Sequence, residues 1–499
     1  MMLLLVFAIL LLTRLIGLNW GQPFYFHPDE NNMAVALASL KCPSVFDLKN
    51  CFNPHFYAYG QLSLYLGKLL LPVFHSPHYS LRFLSAFYSI IGGLVFYKIV
   101  KRDFKSSLYG LFGLLLYVFS PVLIQLSHFG TTESLLILLM ILALYFRKKL
   151  LILGLIIGVA AAVKISSLNL FLLPLLSYRI YNRKLPELIW SYSLAFLALL
   201  LLSPHNWLNF PDFFSALNYE TQVATGTLPV FYTEQFQNTV PIFFQIKNIL
   251  IYGLGPLMVV TSVLGSIYLI KRRTYYSIIV FLFLFLTTSI TFVKWTRFLA
   301  FFYPLIIYFA IAGLVWLDNW YKRKYRWLIP VLILLQIPFG IIFFISLYLK
   351  PDVRLEADNW LRLNLPQRSL IITESANVID LPLDQSGYKI LSYFLYDLDQ
   401  NPVLAKTVFQ NLKQADYVIV PSRRIYANYS CFWFINDQPH YKKNCSKAGK
   451  YPSIDRYYRQ LFWSGNFRLI ASFKRLNDEM AEETWTVFDH PVIRVYQKK

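Results

Sequence analysis

The sequence predicts an α-helical polytopic membrane protein of about eleven transmembrane helices, followed by a C-terminal extracytoplasmic mixed α/β domain. Three observations predict it. Only 15% of the 499 residues are charged and 57% are hydrophobic, whereas about a quarter of an average soluble chain is charged. Apolar runs approaching the ~20 residues that cross a bilayer recur as far as position 349, and they are apolar on every side of any helix they form. The basic residues behind the net charge of +21 fall in clusters between those runs. A surplus of that size on a soluble chain would suggest nucleic acid. Its placement excludes that partner and assigns the charge to topology and to anionic lipid head groups.

Taken in order, runs 1–18, 79–100, 108–126, 134–146, 189–202, 246–270, 275–293, 298–317 and 328–349 read as spans. Segment 150–178 is long and interrupted by Lys164, Ser166, Ser167 and Asn169, so it reads as a hairpin of two short helices. Segment 56–74 is less apolar and reads as lying along the interface. The basic clusters are Lys101, Arg102 and Lys105; Arg147 to Lys149; Arg179, Arg183 and Lys184; Lys271 to Arg273; and Lys322, Arg323, Lys324 and Arg326. The positive-inside rule makes these loops cytoplasmic, with the N-terminus on the same side. The first run lacks a basic start and a small-residue cleavage site, so it is expected as a retained helix of a multi-pass inner (plasma) membrane protein. The outer face then receives loops 19–78 and 203–245 and the tail. This gives a membrane domain over 1–349 and an extracytoplasmic α/β domain over 350–499.

In the tail, β-rich runs are expected at 370–372, 417–420, 467–473, 485–488 and 492–496, with a helix over 354–363. Cys42 and Cys51 fall in the first outer loop, Cys431 and Cys445 in the tail. Two local pairs on an oxidising face suit disulfides, with free thiols the other reading. Neither pair has the spacing of a zinc site.

Ionisable residues within or beside spans are functional candidates, because hydrocarbon penalises them. Arg14 lies in the first run; Asp29 and Glu30 follow Pro28 in the first outer loop. His128 and Glu133 flank the break after the third run, and Lys164 occupies the tip of the hairpin. Lys294 and Arg297 share a short turn between two spans. Individually these read as helix caps and interfacial anchors. Together, carboxylates beside cations on one membrane face suit a reaction on a phosphorylated lipid: the cations hold phosphate and an acid accepts a proton. Asp29, Glu30, His128 and Glu133 also offer oxygen and nitrogen donors to a divalent metal, without a spacing that specifies one.

Several ordered motifs resemble the bacterial members of the dolichyl-phosphate-mannose protein mannosyltransferase family, C-type membrane glycosyltransferases related to the lipid A aminoarabinose transferases. They are Leu12-Thr13-Arg14-Leu15 with His27-Pro28-Asp29-Glu30; Ser127 to Leu136, with Glu133 where an aspartate is expected; and Ala160-Ala161-Ala162-Val163-Lys164. Similar too are Leu202-Ser203-Pro204-His205, Tyr232 to Phe236, Tyr252 to Pro256, Lys294 to Pro304 and Glu482 to Pro491. The resemblance implies an inverting transferase that moves a hexosyl or pentosyl group from a polyprenyl-phosphate carrier to an extracytoplasmic acceptor hydroxyl on protein, lipid or envelope glycan. It implies Asp29 as general base with Glu30 in support. It also implies Arg14, His128, Lys164, Lys294 and Arg297 as ligands of the donor phosphate, and Glu133 as a supporting acid.

An asparagine-modifying oligosaccharyltransferase is disfavoured, since no Trp-Trp pair occurs anywhere in the chain. A flippase or exporter of lipid-linked sugar, and a non-catalytic envelope assembly protein, are the competing classes. Neither calls for the acidic pair or the outer domain.

Overall fold

A computed structural model describes residues 1–320, 327–376, 380–383 and 387–499. The basic cluster Lys322, Arg323, Lys324 and Arg326 lies outside the described residues. The chain divides into two compact units. The first comprises Met1–Asn19, Asp29–Leu228 and Val240–Ile345; the second comprises Trp20–Pro28, Pro229–Thr239 and Ser346–Lys499. The second unit thus recruits two short segments from the expected outer loops of the membrane domain.

The first unit is helical, and its apolar helices mark an integral membrane protein. Among the described residues, Pro77–Asp103, Leu185–Leu202, Tyr303–Trp320 and Pro330–Tyr348 are each long and apolar enough to cross a bilayer. Six shorter apolar helices accompany them: Met2–Leu15, Leu62–Phe74, Glu133–Tyr145, Leu150–Val163, Ile165–Ile180 and Tyr275–Ser289. The helix at Leu62–Phe74 falls in the segment expected along the interface.

Two runs that hydropathy reads as continuous are broken. Ser107–Val118 and Pro121–His128 meet at 58°, because Pro121 cannot supply the backbone N–H that would continue the helix. Gln245–Leu254 and Pro256–Lys271 meet at 109°, where Gly255 takes φ +88° ahead of another proline. Helix starts are set by local chemistry. Ser76 and Ser106 accept hydrogen bonds from the N–H groups of Tyr79 and Tyr109 at 3.3 and 3.4 Å, as N-caps do.

The second unit holds a five-stranded sheet of β1 (Leu370–Glu374), β2 (Lys389–Tyr393), β3 (Tyr417–Val420), β6 (Phe467–Phe473) and β7 (Ile493–Lys498), in the order β2-β1-β3-β7-β6. The first three are parallel; β7 runs antiparallel to both β3 and β6. A separate hairpin joins β4 (Phe432–Ile435) to β5 (Gln438–Tyr441). Alternation along the central strands feeds two cores. Ile372, Val418 and Tyr496 pack with Leu412, Tyr426 and Tyr458, while Ile371, Ile419 and Val495 pack with Val353, Ala357 and Leu361 of the helix Val353–Asn364.

One expected strand is a helix. Residues 485–488 fall in and just beyond Glu483–Val487, whose first turn is capped by Glu482 accepting from the Thr484 N–H at 3.0 Å. β-Propensity loses there to a capped turn and to the Trp485 indole N–H, which donates to Asp478 at 2.8 Å. Disulfides join Cys42 to Cys51 and Cys431 to Cys445.

Candidate active site

Pro28 opens the helix Pro28–Ser39, so Asp29 and Glu30 occupy its first turn, where exposed N–H groups favour carboxylates. Adjacent in sequence, the two acids project into different environments. Asp29 pairs with Arg297, and both side chains keep about a fifth of their surface open, 21% and 19%. Glu30 is sealed: Arg82 donates to it through Nε at 2.5 Å and Nη2 at 2.9 Å, with both side chains at 0% exposure. Arg82 also donates to the Leu18 carbonyl at 2.8 Å, tying the first helix's end to the pair. A Cβ at position 130 would lie 2.8 Å from Glu30 Oε1, so only glycine lets that loop close over the carboxylate. Burial raises the Glu30 carboxyl above its ordinary value, and the Arg82 guanidinium opposes the rise.

The loop that carries Gly130 also starts the helix Glu133–Tyr145. There Glu133 accepts a hydrogen bond from Lys164 Nζ at 3.2 Å. Lys164 is extended (φ −156°, ψ 122°) between the helix Leu150–Val163 and the 3-10 segment Ile165–Phe171, so its side chain leaves the helical hairpin at the break. Its ammonium lies 5.0 Å from the Tyr59 ring centroid and 5.4 Å from that of Phe298.

Tyr59 is held there by backbone contact. The Gly60 N–H donates to the Val163 carbonyl at 2.9 Å, and a Cβ on Gly60 would sit 1.9 Å from the Ala162 oxygen. The small-residue run before Lys164 therefore serves as a seat for the loop that carries Tyr59 and Gly60. Next to it, Gln61 joins Ser203 and Asn206, with the Ser203 hydroxyl donating to Gln61 at 2.6 Å and the Gln61 amide to Asn206 at 2.7 Å. Burial pushes the Tyr59 phenol well above its ordinary value, and the carboxylates of Glu133 and Glu220 push it further. It stays a hydrogen-bond donor.

The short helix Thr296–Leu299 links the two ion pairs, because Arg297 engages Asp29 while the neighbouring Phe298 faces Lys164. Arg297 also lies 4.8 Å from the Trp295 ring centroid. Lys294 is mostly buried and donates to the Phe292 carbonyl at 2.7 Å; burial lowers its affinity for the proton.

The structure thus brings together Asp29, Glu30, Glu133, Lys164 and Arg297. Arg14 and His128 are placed differently. Both are fully buried. Arg14 reaches the Ser89 hydroxyl at 3.0 Å and the Tyr117 and Val118 carbonyls at 3.3 and 3.2 Å. His128 sets its two ring nitrogens against the Ile124 and Ile16 carbonyls at 2.8 and 2.9 Å. Among the described residues, no three His, Cys, Asp or Glu side chains group as a metal-holding cluster.

Sequence reasoning missed Arg82, Tyr59, Gly60 and Glu220. Arg82 had a signal: it is an arginine within a run read as a span. Tyr59 and Gly60 had none, since their roles depend on where the loop lands.

Residues 61–207, less than a third of the chain, match the family described as dolichyl-phosphate-mannose-protein mannosyltransferase. The matched stretch contains Arg82, Glu133 and Lys164 and excludes Asp29 and Arg297. No curated protein matches the chain. Among solved structures, the oligosaccharyltransferase of Archaeoglobus fulgidus is similar at 11% identity and a TM-score of 0.49, over 100% of this chain and 88% of that one. ArnT from Cupriavidus metallidurans is similar in its apo state at 11% identity and TM-score 0.49, over 87% and 94%. Bound to undecaprenyl phosphate, ArnT gives 12% identity and TM-score 0.48, over 99% and 97%.

Proposed function

We propose that this chain is an inverting glycosyltransferase. It takes a hexosyl or pentosyl group from a polyprenyl-phosphate carrier and places it on an acceptor hydroxyl at the extracytoplasmic face. The observation that carries the reading is a pair of carboxylate–cation contacts bridged by the turn at 295–298: Asp29 with Arg297, both partly open, and buried Glu133 with Lys164, whose side chain keeps 14% exposure. The family match over residues 61–207 supports the same kind of donor.

In this mechanism Asp29 accepts the acceptor's proton as the hydroxyl oxygen attacks the anomeric carbon from the face opposite the phosphate. The bond from that carbon to the phosphate oxygen breaks, and polyprenyl phosphate departs. Lys164, Lys294 and Arg297 stabilise its charge, so no acid need protonate it. A carboxylate clamped to a guanidinium is poorly placed to take a proton. Arrival of the donor phosphate draws Arg297 toward the stronger anion and frees Asp29 when a base is needed. Glu30, paired to buried Arg82, holds Asp29 in place from the neighbouring position. Arg14 and His128 are assigned to the packing of helix ends.

The test uses purified full-length protein in vesicles with labelled polyprenyl-phosphate hexoses and pentoses. Release of free polyprenyl phosphate that depends on an added hydroxyl acceptor is expected. Lys164→Ala and Arg297→Ala should weaken donor binding by about 2–5 kcal/mol each, as truncation of a desolvated charged contact does. Movement of intact donor between leaflets without release would instead identify a transporter.

A further inference from the structure

The helix Glu133–Tyr145 carries the acidic site at its first residue; a cavity of about 320 Å³ adjoins its other end. At 1.5 Å per residue the two are separated by about 20 Å. The cavity is built where several helices stop. Asp103 ends Pro77–Asp103, Ile180 ends Leu172–Ile180, and Arg272 follows Pro256–Lys271. Its volume lies at the lower end of the ~300–1,000 Å³ range of small-ligand sites.

The lining divides by polarity. Ile99, Leu144, Ile180 and Leu269 supply an apolar wall, and Tyr181, Tyr276 and Tyr308 a tyrosine wall. Arg147, Lys148, Arg272 and Arg273 supply four cations. The one carboxylate on the lining among the described residues, Asp103, is already engaged. Arg102 and Arg147 donate to it at 2.9 and 3.0 Å, and the Tyr308 hydroxyl at 3.2 Å. Arg147 is therefore held on a carboxylate it shares with Arg102, and it also donates to the Leu144 carbonyl at 3.0 Å as a helix C-cap. Lys148, Arg272 and Arg273 remain as exposed charge around the cavity. A loop that only marks topology needs cations in water. Here two separate clusters, 147–148 and 272–273, converge on one concave site with an apolar wall.

We infer that this cavity binds the phosphate of an anionic amphiphile, its cations taking the phosphate oxygens and its apolar wall the adjoining stem. This is a second, non-catalytic site, independent of the glycosyltransferase reading. A lipid phosphodiester and a soluble phosphate share the recognised chemistry, and the experiment separates them.

Native mass spectrometry of the full chain in detergent, titrated with phosphatidylglycerol or phosphatidylcholine, provides the measurement. The Arg272→Gln/Arg273→Gln variant is compared with Lys105→Gln/Lys184→Gln, which removes two exposed basic residues outside the cavity. Phosphatidylglycerol should bind the cavity variant roughly ten-fold or more weakly, at about a factor of five per lost cation near the surface, while the control and phosphatidylcholine binding stay unchanged. Displacement of the lipid by millimolar inorganic phosphate would identify the phosphate group alone as the ligand. Resistance to displacement would identify the lipid. Equal loss in both variants, or loss in neither, overturns the inference. If the double variant fails to fold, Lys148→Gln carries the same comparison.

Discussion

Asp29 and Glu30 are one residue apart and both pair with arginine, yet the structure predicts opposite phenotypes for their amides. Glu30→Gln keeps size but removes the carboxylate charge that Arg82 meets where both side chains are at 0% exposure. Breaking a buried ion pair by removing one partner costs about 3–5 kcal/mol, because the surviving charge has no water to turn to. Asp29→Asn leaves Arg297 with 19% of its side chain in solvent and the Trp295 face beside it. A partly exposed pair is worth about 0–1 kcal/mol, so this variant should fold normally. What it loses is the proton acceptor, typically 10²–10⁴-fold in rate.

The assay pairs thermal unfolding in detergent with acceptor-dependent release of polyprenyl phosphate. Glu30→Gln should unfold many degrees earlier, with its residual folded fraction active. Asp29→Asn should melt with the parent and turn over at most about one-hundredth as fast. Reversal of that pattern, or near-normal transfer by Asp29→Asn, would refute the assignment of base and brace.

Three further outcomes follow from the geometry. Gly60→Ala forces a methyl against the Ala162 carbonyl oxygen, 1.9 Å from the ideal Cβ position, and backbone cannot step aside as a side chain can; it should cost about 1–3 kcal/mol or more and raise donor KM by displacing Tyr59 from Lys164, and full activity would show that the loop does not seat the site. In the second unit, burial would depress His490, but Asp478 and Asp489 outweigh it and raise the imidazole to about 10. Since its unfolded value is near 6.5, the stabilisation is complete below about pH 6.5 and fades as pH climbs toward 10, so the protection of β7 amides, after correction for base-catalysed intrinsic exchange, should fall over that window in the parent and stay flat in His490→Gln. Cysteines introduced near Lys148 and Arg272 should label only from the cytoplasm, and those near Thr225 and Ser446 only from outside; cytoplasmic labelling of the tail would invert the topology.

Composition and spacing made the architecture legible where one local rule decides an element. The helix after Pro28, the break at Lys164, and the strands at 417–420 and 467–473 all follow from hydropathy, helix breakers or alternation. Legibility failed where two rules competed. Residues 485–488 have strand-like composition, but the Glu482 cap and the Trp485–Asp478 hydrogen bond make them helical. Runs 108–126 and 246–270 are apolar enough to span, yet a proline within each imposes a bend that average hydropathy cannot register.

The candidate site shows the same division at the level of charge. A sequence reveals which ionisable groups a bilayer should penalise, and by that rule Asp29, Lys164 and Arg297 stand out. It does not reveal which groups neutralise one another. What stayed hidden is the pairing of Arg82 with Glu30, because the two lie 52 residues apart. Arg14 and His128 meet the same penalty with helix-end carbonyls. An intramembrane charge therefore identifies a site only after its partner is known. In the proposed mechanism the cations that exchange partners with a substrate are Arg297, on partly open Asp29, and Lys164, whose side chain keeps 14% exposure beside buried Glu133.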